Sequence, residues 1–179
     1  MLLSLLRRFA AAIFALTLAG CAPPIHVNAY VERGINFSQY HTHNWAPDDA
    51  LATGDPRLDN NPFFLGRVQA DVDKQLATRG FEKTRAGTPE LLLHYHASIT
   101  QKLDLNRADK QYGLCNDCTP FVYDEGTLLL DFVDTRTNRL IWRGWAEGSM
   151  DGVIDNQKWM EEKIDKAVAR ILGRLPRGL

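Results

Sequence analysis

The chain has 179 residues, 45% of them hydrophobic and 24% charged, with 21 Lys and Arg against 22 Asp and Glu and a net charge of −1. That is enough for one domain with a real core and too little for two comfortable ones. The charges are evenly mixed without a basic run, so the electrostatic footprint of nucleic-acid binding is missing, and no internal repeat or low-complexity tract is present.

At the start, Arg7 and Arg8 precede an apolar run from Phe9 to Leu18, which closes in Leu18-Ala19-Gly20-Cys21. A basic region, a short apolar region and small residues at a cut site describe a secretory signal. The run is half the ~20 residues that a membrane span needs, which leaves a cleaved signal or a short anchor. The Cys directly after Ala-Gly resembles the lipobox of bacterial lipoproteins. That resemblance implies that residues 1–20 are cleaved, that Cys21 gains a thioether-linked diacylglycerol, and that its new amine is acylated. Residues 21–25 are then the lipidated Cys and a short tether, stiffened by Pro23 and Pro24. Each buried methylene contributes ~0.8 kcal/mol to membrane affinity, so several chains hold a protein almost permanently. Ala22 follows the Cys where Asp would direct otherwise, and by analogy with enterobacterial sorting this favours the outer membrane, facing the periplasm. Without Arg7 and Arg8 the remaining chain carries 19 basic residues against 22 acids, a charge of −3.

Residues 26–179 read as a single domain. His26 to Val31 alternates as a first strand, Gly34 to Ser38 is a turn, and Tyr40 to Trp45 is a second strand ended by Pro47. Pro47 to Asn61, rich in Asp, Pro, Gly and Asn, reads as a loop. Asn61-Pro62 starts a helix, since Asn caps free amides and Pro suits the first turn. Leu65, Val68, Val72 and Leu76 make its apolar stripe, and Gly80 stops it. Glu90 to Lys102 alternates strongly: Leu91, Leu93, Tyr95, Ala97 and Ile99 share the core face, and Leu92, His94, His96, Ser98 and Thr100 the other. Asp104 to Pro120 is polar and irregular. Thr127 to Asp134 and Arg139 to Gly148 form a hairpin around a turn at 134–138. Asp155 or Asn156 caps a last helix whose stripe is Met160, Ile164, Ala167, Val168, Ile171 and Leu175, and Pro176 ends it.

The order β-β-α-β-β-β-α predicts an α+β two-layer sandwich, with two amphipathic helices on one face of a mostly antiparallel or mixed sheet of 4–5 strands. These elements carry a resemblance. Phe37-Ser38-Gln39-Tyr40 with Thr42 and Trp45, the Asp55-Pro56 loop, Leu76-Ala77-Thr78-Arg79-Gly80-Phe81, Pro89-Glu90-Leu91-Leu92-Leu93 before His94-Tyr95-His96, Glu125-Gly126-Thr127-Leu128, Asp131, Asp134 and Leu140-Ile141-Trp142-Arg143-Gly144-Trp145-Ala146 resemble the bacterial DUF4136 lipoproteins, over nearly the whole chain after the signal. The resemblance implies an envelope lipoprotein and brings no established activity. His43 stands where an aromatic residue is more usual, and Cys115-Asn116-Asp117-Cys118 is an addition to the family pattern.

The residues that could carry chemistry are few. In an oxidising compartment Cys115 and Cys118 could form a disulfide, although two intervening residues close a small and demanding ring. A redox-active pair lacks the helix start that stabilises a thiolate. Alternatively, two thiolates with His94 and His96, whose rings point the same way from one strand, could hold zinc or copper tetrahedrally; the duller reading of these His residues is half-exposed strand positions. His41 and His43 repeat the spacing, so four imidazoles would meet if the two strands were neighbours. Trp142 shares a side with Leu140 and Ala146 and belongs in the core. Trp145 shares the outer side with Ile141 and Arg143, and Arg143 with Trp145 is the candidate partner surface, against simple packing on a cross-strand neighbour. Asp124, Glu125, Asp131 and Asp134 read as turn and solvent-face acids. The sequence contains no nucleophile elbow, His-Glu-x-x-His, phosphate loop or dinucleotide fingerprint.

The expectation is therefore a non-enzymatic interaction or assembly module on the envelope. Its partners are the membrane, through the lipid, and an envelope protein, with no cofactor beyond the covalent lipid. The alternative is a periplasmic metal-binding or metal-sensing lipoprotein.

Overall fold

Alternation from Leu91 onward does what the pattern predicts, and the strand it makes is the spine of the sheet. The structure, a computed structural model, describes residues 24–47, 55–59, 61–103 and 122–176. Its elements are β1 (His26–Val31), β2 (Thr42–Trp45), the single turn α1 (Pro56–Asp59), α2 (Pro62–Ala77), β3 (Glu82–Lys83), β4 (Leu91–Leu103), β5 (Val122–Asp134), β6 (Arg139–Ser149) and α3 (Gln157–Leu172). The sheet order is β1-β6-β5-β4-β2-β3. The first four strands pair antiparallel, whereas β2 runs parallel to both β4 and β3.

The fold is thus α+β with a six-stranded mixed sheet, which corrects the expected strand count and its mostly antiparallel character. The helix-bearing connection explains the change: a chain leaving β2 through a helix returns in the same direction, so β2 and β4 pair parallel. Strand β3 holds only Glu82 and Lys83, too short for any periodicity to show. The segment expected to be loop from Pro47 to Asn61 contains α1, and the turn before β2 contains a 3-10 turn at Phe37–Gln39.

Both long helices start where a side chain can serve free amides. The Asn61 side chain accepts from Phe64 N at 3.1 Å and that of Asn156 from Trp159 N at 3.1 Å, so Asn156 is the cap of α3. Gly80, at φ +85°, supplies the left-handed turn that ends α2, and Phe81 N donates to Leu76 O at 3.1 Å. Helix α2 buries Phe64, Val68, Asp71, Val72 and Leu76. Val68, Val72 and Leu76 of the expected stripe are therefore buried, while at its start Phe64 is in the core and Leu65 is half-buried against it. Helix α3 buries Met160, Ile164, Ala167, Val168, Ile171 and Leu172. Arg67 bonds Asp71 one turn on, at 2.9 Å, and also reaches Glu161 of α3, which fixes the two helices together.

The helices meet the sheet face that carries Leu91, Leu93, Ala97, Leu128, Leu130, Phe132, Trp142 and Ala146, all buried. Phe132 and Trp142 pack with ring centres 4.8 Å apart. Phe132 pairs with Trp142 and Val133 with Leu140, so Ile141 is the extra residue of a β-bulge. The bulge resets the alternation. Leu140 joins Val133 on the outer face and Ile141 is buried, so neither shares a side with the residue expected beside it. All core residues among those described fall between Phe37 and Leu175, with Ile25 and Val27 packed on the margin.

Candidate functional site

With both helices on one side, no described element covers the other face of the sheet. Cross-strand partners share a face, so the register writes out its rows. One row is Tyr30 (β1), Arg143 (β6), Asp131 (β5) and His94 (β4); the next is Asn28, Trp145, Leu129 and His96. The structure therefore brings Arg143, Trp145, His94 and His96 onto one surface.

Asp131 is the anchor of this surface. Arg143 Nε donates to its Oδ1 at 2.7 Å and Nη2 to its Oδ2 at 2.6 Å, a bidentate pair. The Asp131 side chain keeps 8% of its exposure and that of Arg143 keeps 41%. The acid is therefore covered, not the solvent-face residue expected. Its bonds hold the Arg143 guanidinium above its ordinary value, against some desolvation. His96 Nε2 lies 4.0 Å from Asp131 Oδ2, beyond hydrogen-bond reach. Burial pulls the His96 imidazole below its usual value; Asp131 opposes this, and Arg143 and His94 add to it. At the edge, Tyr30 of β1 is 47% exposed and extends the surface past its partner Arg143. Among the described residues no three His, Cys, Asp or Glu groups are placed to hold a metal ion. Cys21, Cys115 and Cys118 lie outside the described residues.

The other histidine pair goes elsewhere. His43 pairs with Leu91 on the helix-covered face and is 1% exposed. The four-imidazole patch is therefore not formed, although β2 and β4 are neighbours as it required: His43 points away from the face that His94 and His96 share. It meets Asp73 of α2, a residue that sequence reasoning missed. Asp73 Oδ1 lies 3.2 Å from His43 Nε2 and accepts from Trp45 Nε1 at 2.9 Å, while Oδ2 accepts from Lys83 Nζ at 2.8 Å. Burial would raise this carboxyl, but the bonds from His43, Lys83 and Trp45 outweigh it and hold it below the usual range. The cluster ties β2 and the short β3 to α2. The polar residue Asp73, next to the buried Val72, was the available signal.

Several residues that carry the family resemblance prove to be clamps. Glu90 accepts from the backbone amides of His41 at 2.6 Å and Thr42 at 2.9 Å, which lowers its carboxyl, and Tyr40 Oη donates to Asp134 at 3.0 Å. Asp134 is buried and also accepts from Arg136 N at 2.8 Å, so it is a turn acid, but not a solvated one. Asp124 bonds Arg57 at 3.1 Å and Glu125 lies 3.3 Å from Lys102.

Against solved structures, a PDZ domain protein from Parabacteroides distasonis is similar with a TM-score of 0.54 and 14% identity, over 95% of this chain and 40% of that one. The chain thus spans about two-fifths of that protein's length. Two crystal forms of a PelC dodecamer from Paraburkholderia phytofirmans are similar with TM-scores of 0.48 and 0.44, both at 8% identity, over 83% of this chain and 95% and 96% of theirs. No curated protein matches. The model of a domain of unknown function, DUF4136, matches residues 27–177, and the chain belongs to that family.

Proposed function

We propose that this chain is an envelope lipoprotein, held by lipid on Cys21 at the periplasmic face of the outer membrane, and that it acts without catalysis as an interaction module. The observation that carries the reading is the sheet face that no described element covers, with Arg143, Trp145 and Tyr30 in adjoining rows. Tyr, Trp and Arg are the side chains enriched in protein–protein interfaces, and a bidentate Arg held flat by a covered Asp is ordered before any partner arrives. The partner of this chemistry is another envelope protein.

The test is photo-crosslinking in intact cells from two positions, Asn28 on the outer face and Gln75 on the helix side. A discrete adduct from position 28 and none from 75 is the expected result. Equal labelling from both, or none from position 28, contradicts the reading.

A second reading, zinc or copper held by His94, His96, Cys115 and Cys118, has one observation in its favour: both imidazoles lie on one face beside Asp131. Chain length weighs against it. Cys118 is four residues before Val122, a reach of at most ~14 Å. His94 pairs with Asp131, nine residues along β5 from Val122 or ~30 Å of strand. Elemental analysis of the reduced protein decides it: stoichiometric metal that is lost in His94→Ala supports the site, and none removes it.

A further inference from the structure

At one end of the core the sheet is bare where the helices need a floor. Gly126 and Gly148 are direct cross-strand partners on the helix-covered face, with Ile99 paired to Gly126 on the far side. Paired glycines inside a sheet forgo packing and mark a place where something approaches the backbone closely. Above them lies a cavity of about 50 Å³, lined by Leu58, Phe64, Ile99, Met150, Met160 and Ile164. Met150 lies directly over Gly126, where a Cβ would come within 2.6 Å of its Cγ. Lys163 stands over Gly148, its Cε 3.6 Å from where a Cβ would sit, and it also lines the cavity. This half-buried ammonium has no ion pair within 4 Å among the described residues. Burial, with Lys166 and Arg170 further along the same helix, lowers it below its ordinary value; Asp151 opposes the shift.

From this geometry we infer that the cavity over the glycine pair is a binding site for an aliphatic carboxylate, its tail between the sheet and the helices and its head paired with Lys163. The lining is mostly apolar, with Ser98, Thr127 and Glu147 as its other polar residues, and the mouth offers one cation, the arrangement that a singly charged amphiphile needs. A doubly charged phosphate head would ask for more donors than this one ammonium. The open space takes a few methylenes, at ~10–15 Å³ for each water-sized group. Met150, unbranched and rotatable, can swing off Gly126 to admit a longer tail.

The chain from Ala22 onward contains every described core residue, so it serves for the test. It is labelled with ¹³C at the methionine methyls, which in that chain are Met150 and Met160 alone, and titrated with sodium octanoate. Both methyl signals are expected to shift saturably. Lys163→Gln should weaken binding about tenfold or more, the loss of a charge-assisted bond, and octan-1-ol should bind weaker by a similar factor. Gly148→Ala meets neighbours only at ordinary contact distances, 3.5 Å and beyond, so it keeps the fold while narrowing the floor and should reduce binding. No shift with octanoate, or equal binding in either variant or with the alcohol, overturns the site.

Discussion

Asp131 and Arg143 are unequal partners, and the inequality can be measured. The acid is covered and the guanidinium half-exposed. Arg143→Ala strands a covered carboxylate, whereas Asp131→Asn leaves a cation that water can still reach. Removing one partner costs most when the group left behind is buried. Arg143→Ala is therefore expected to destabilise by about 2–3 kcal/mol and Asp131→Asn by about 1 kcal/mol. Urea denaturation of both variants checks the order; equal losses below 0.5 kcal/mol would show the pair to be idle. Arg143→Lys should recover little, because a point charge cannot reproduce two parallel bonds. At this scale the outer surface was only half legible. The period of two placed His94, His96 and Trp145 correctly, because it needs nothing but the strand itself. The burial of Asp131 could not be read, since it depends on how neighbouring strands pack beside it. The burial of His43 depends in the same way on Asp73, thirty residues further along the chain.

Among the elements, caps decide where the helices begin. Asn61→Ala and Asn156→Ala each remove the side-chain acceptor for one first-turn amide. Each is expected to cost about 1 kcal/mol, and the double variant about twice that if the ends act independently. Unfolding midpoints of the three variants test this, and an unchanged midpoint in either single variant would show that water replaces the cap at no cost. The long elements were legible because they repeat. The alternation from Leu91 to Ile99 and the stripe from Met160 to Ile171 hold in the structure. What escaped was short or depended on a partner. Glu82 and Lys83 are two polar residues with no pattern, and their strand exists because β2 lies beside them. The Ile141 bulge breaks the period inside a strand that otherwise keeps it. In α2 the choice between Phe64 and Leu65 rests on one residue of rotation, which spacing alone leaves open.

For the whole molecule, the carboxylates of Asp73, Asp134 and Glu90 sit below their ordinary values. In Asp134 burial pushes upward, but bonds from Arg136, Tyr40 and Thr137 prevail; in Glu90 the amides of His41 and Thr42 dominate. A carboxyl whose folded pKa is depressed binds its proton more readily unfolded. Its contribution is then full above the unfolded value, near pH 4, and lost as pH falls through the folded one. Stability should hold from pH 7 down to about pH 5 and decline below about pH 4, read as a falling urea midpoint. Glu90→Gln should flatten that decline; an acid limb of the same steepness in this variant would exclude Glu90 from it. The three acids join β2, β4, β5 and α2, so acid should loosen that end of the sheet first.

Where this domain is held is read directly by intact-mass and peptide mass spectrometry of the protein from the membrane fraction of cells that produce the full chain. The expected result is a mature amino terminus at Cys21 carrying a diacylglycerol and an amide-linked acyl chain. An unmodified Cys21 thiol, or an uncut chain recovered from the cytosol, would contradict it.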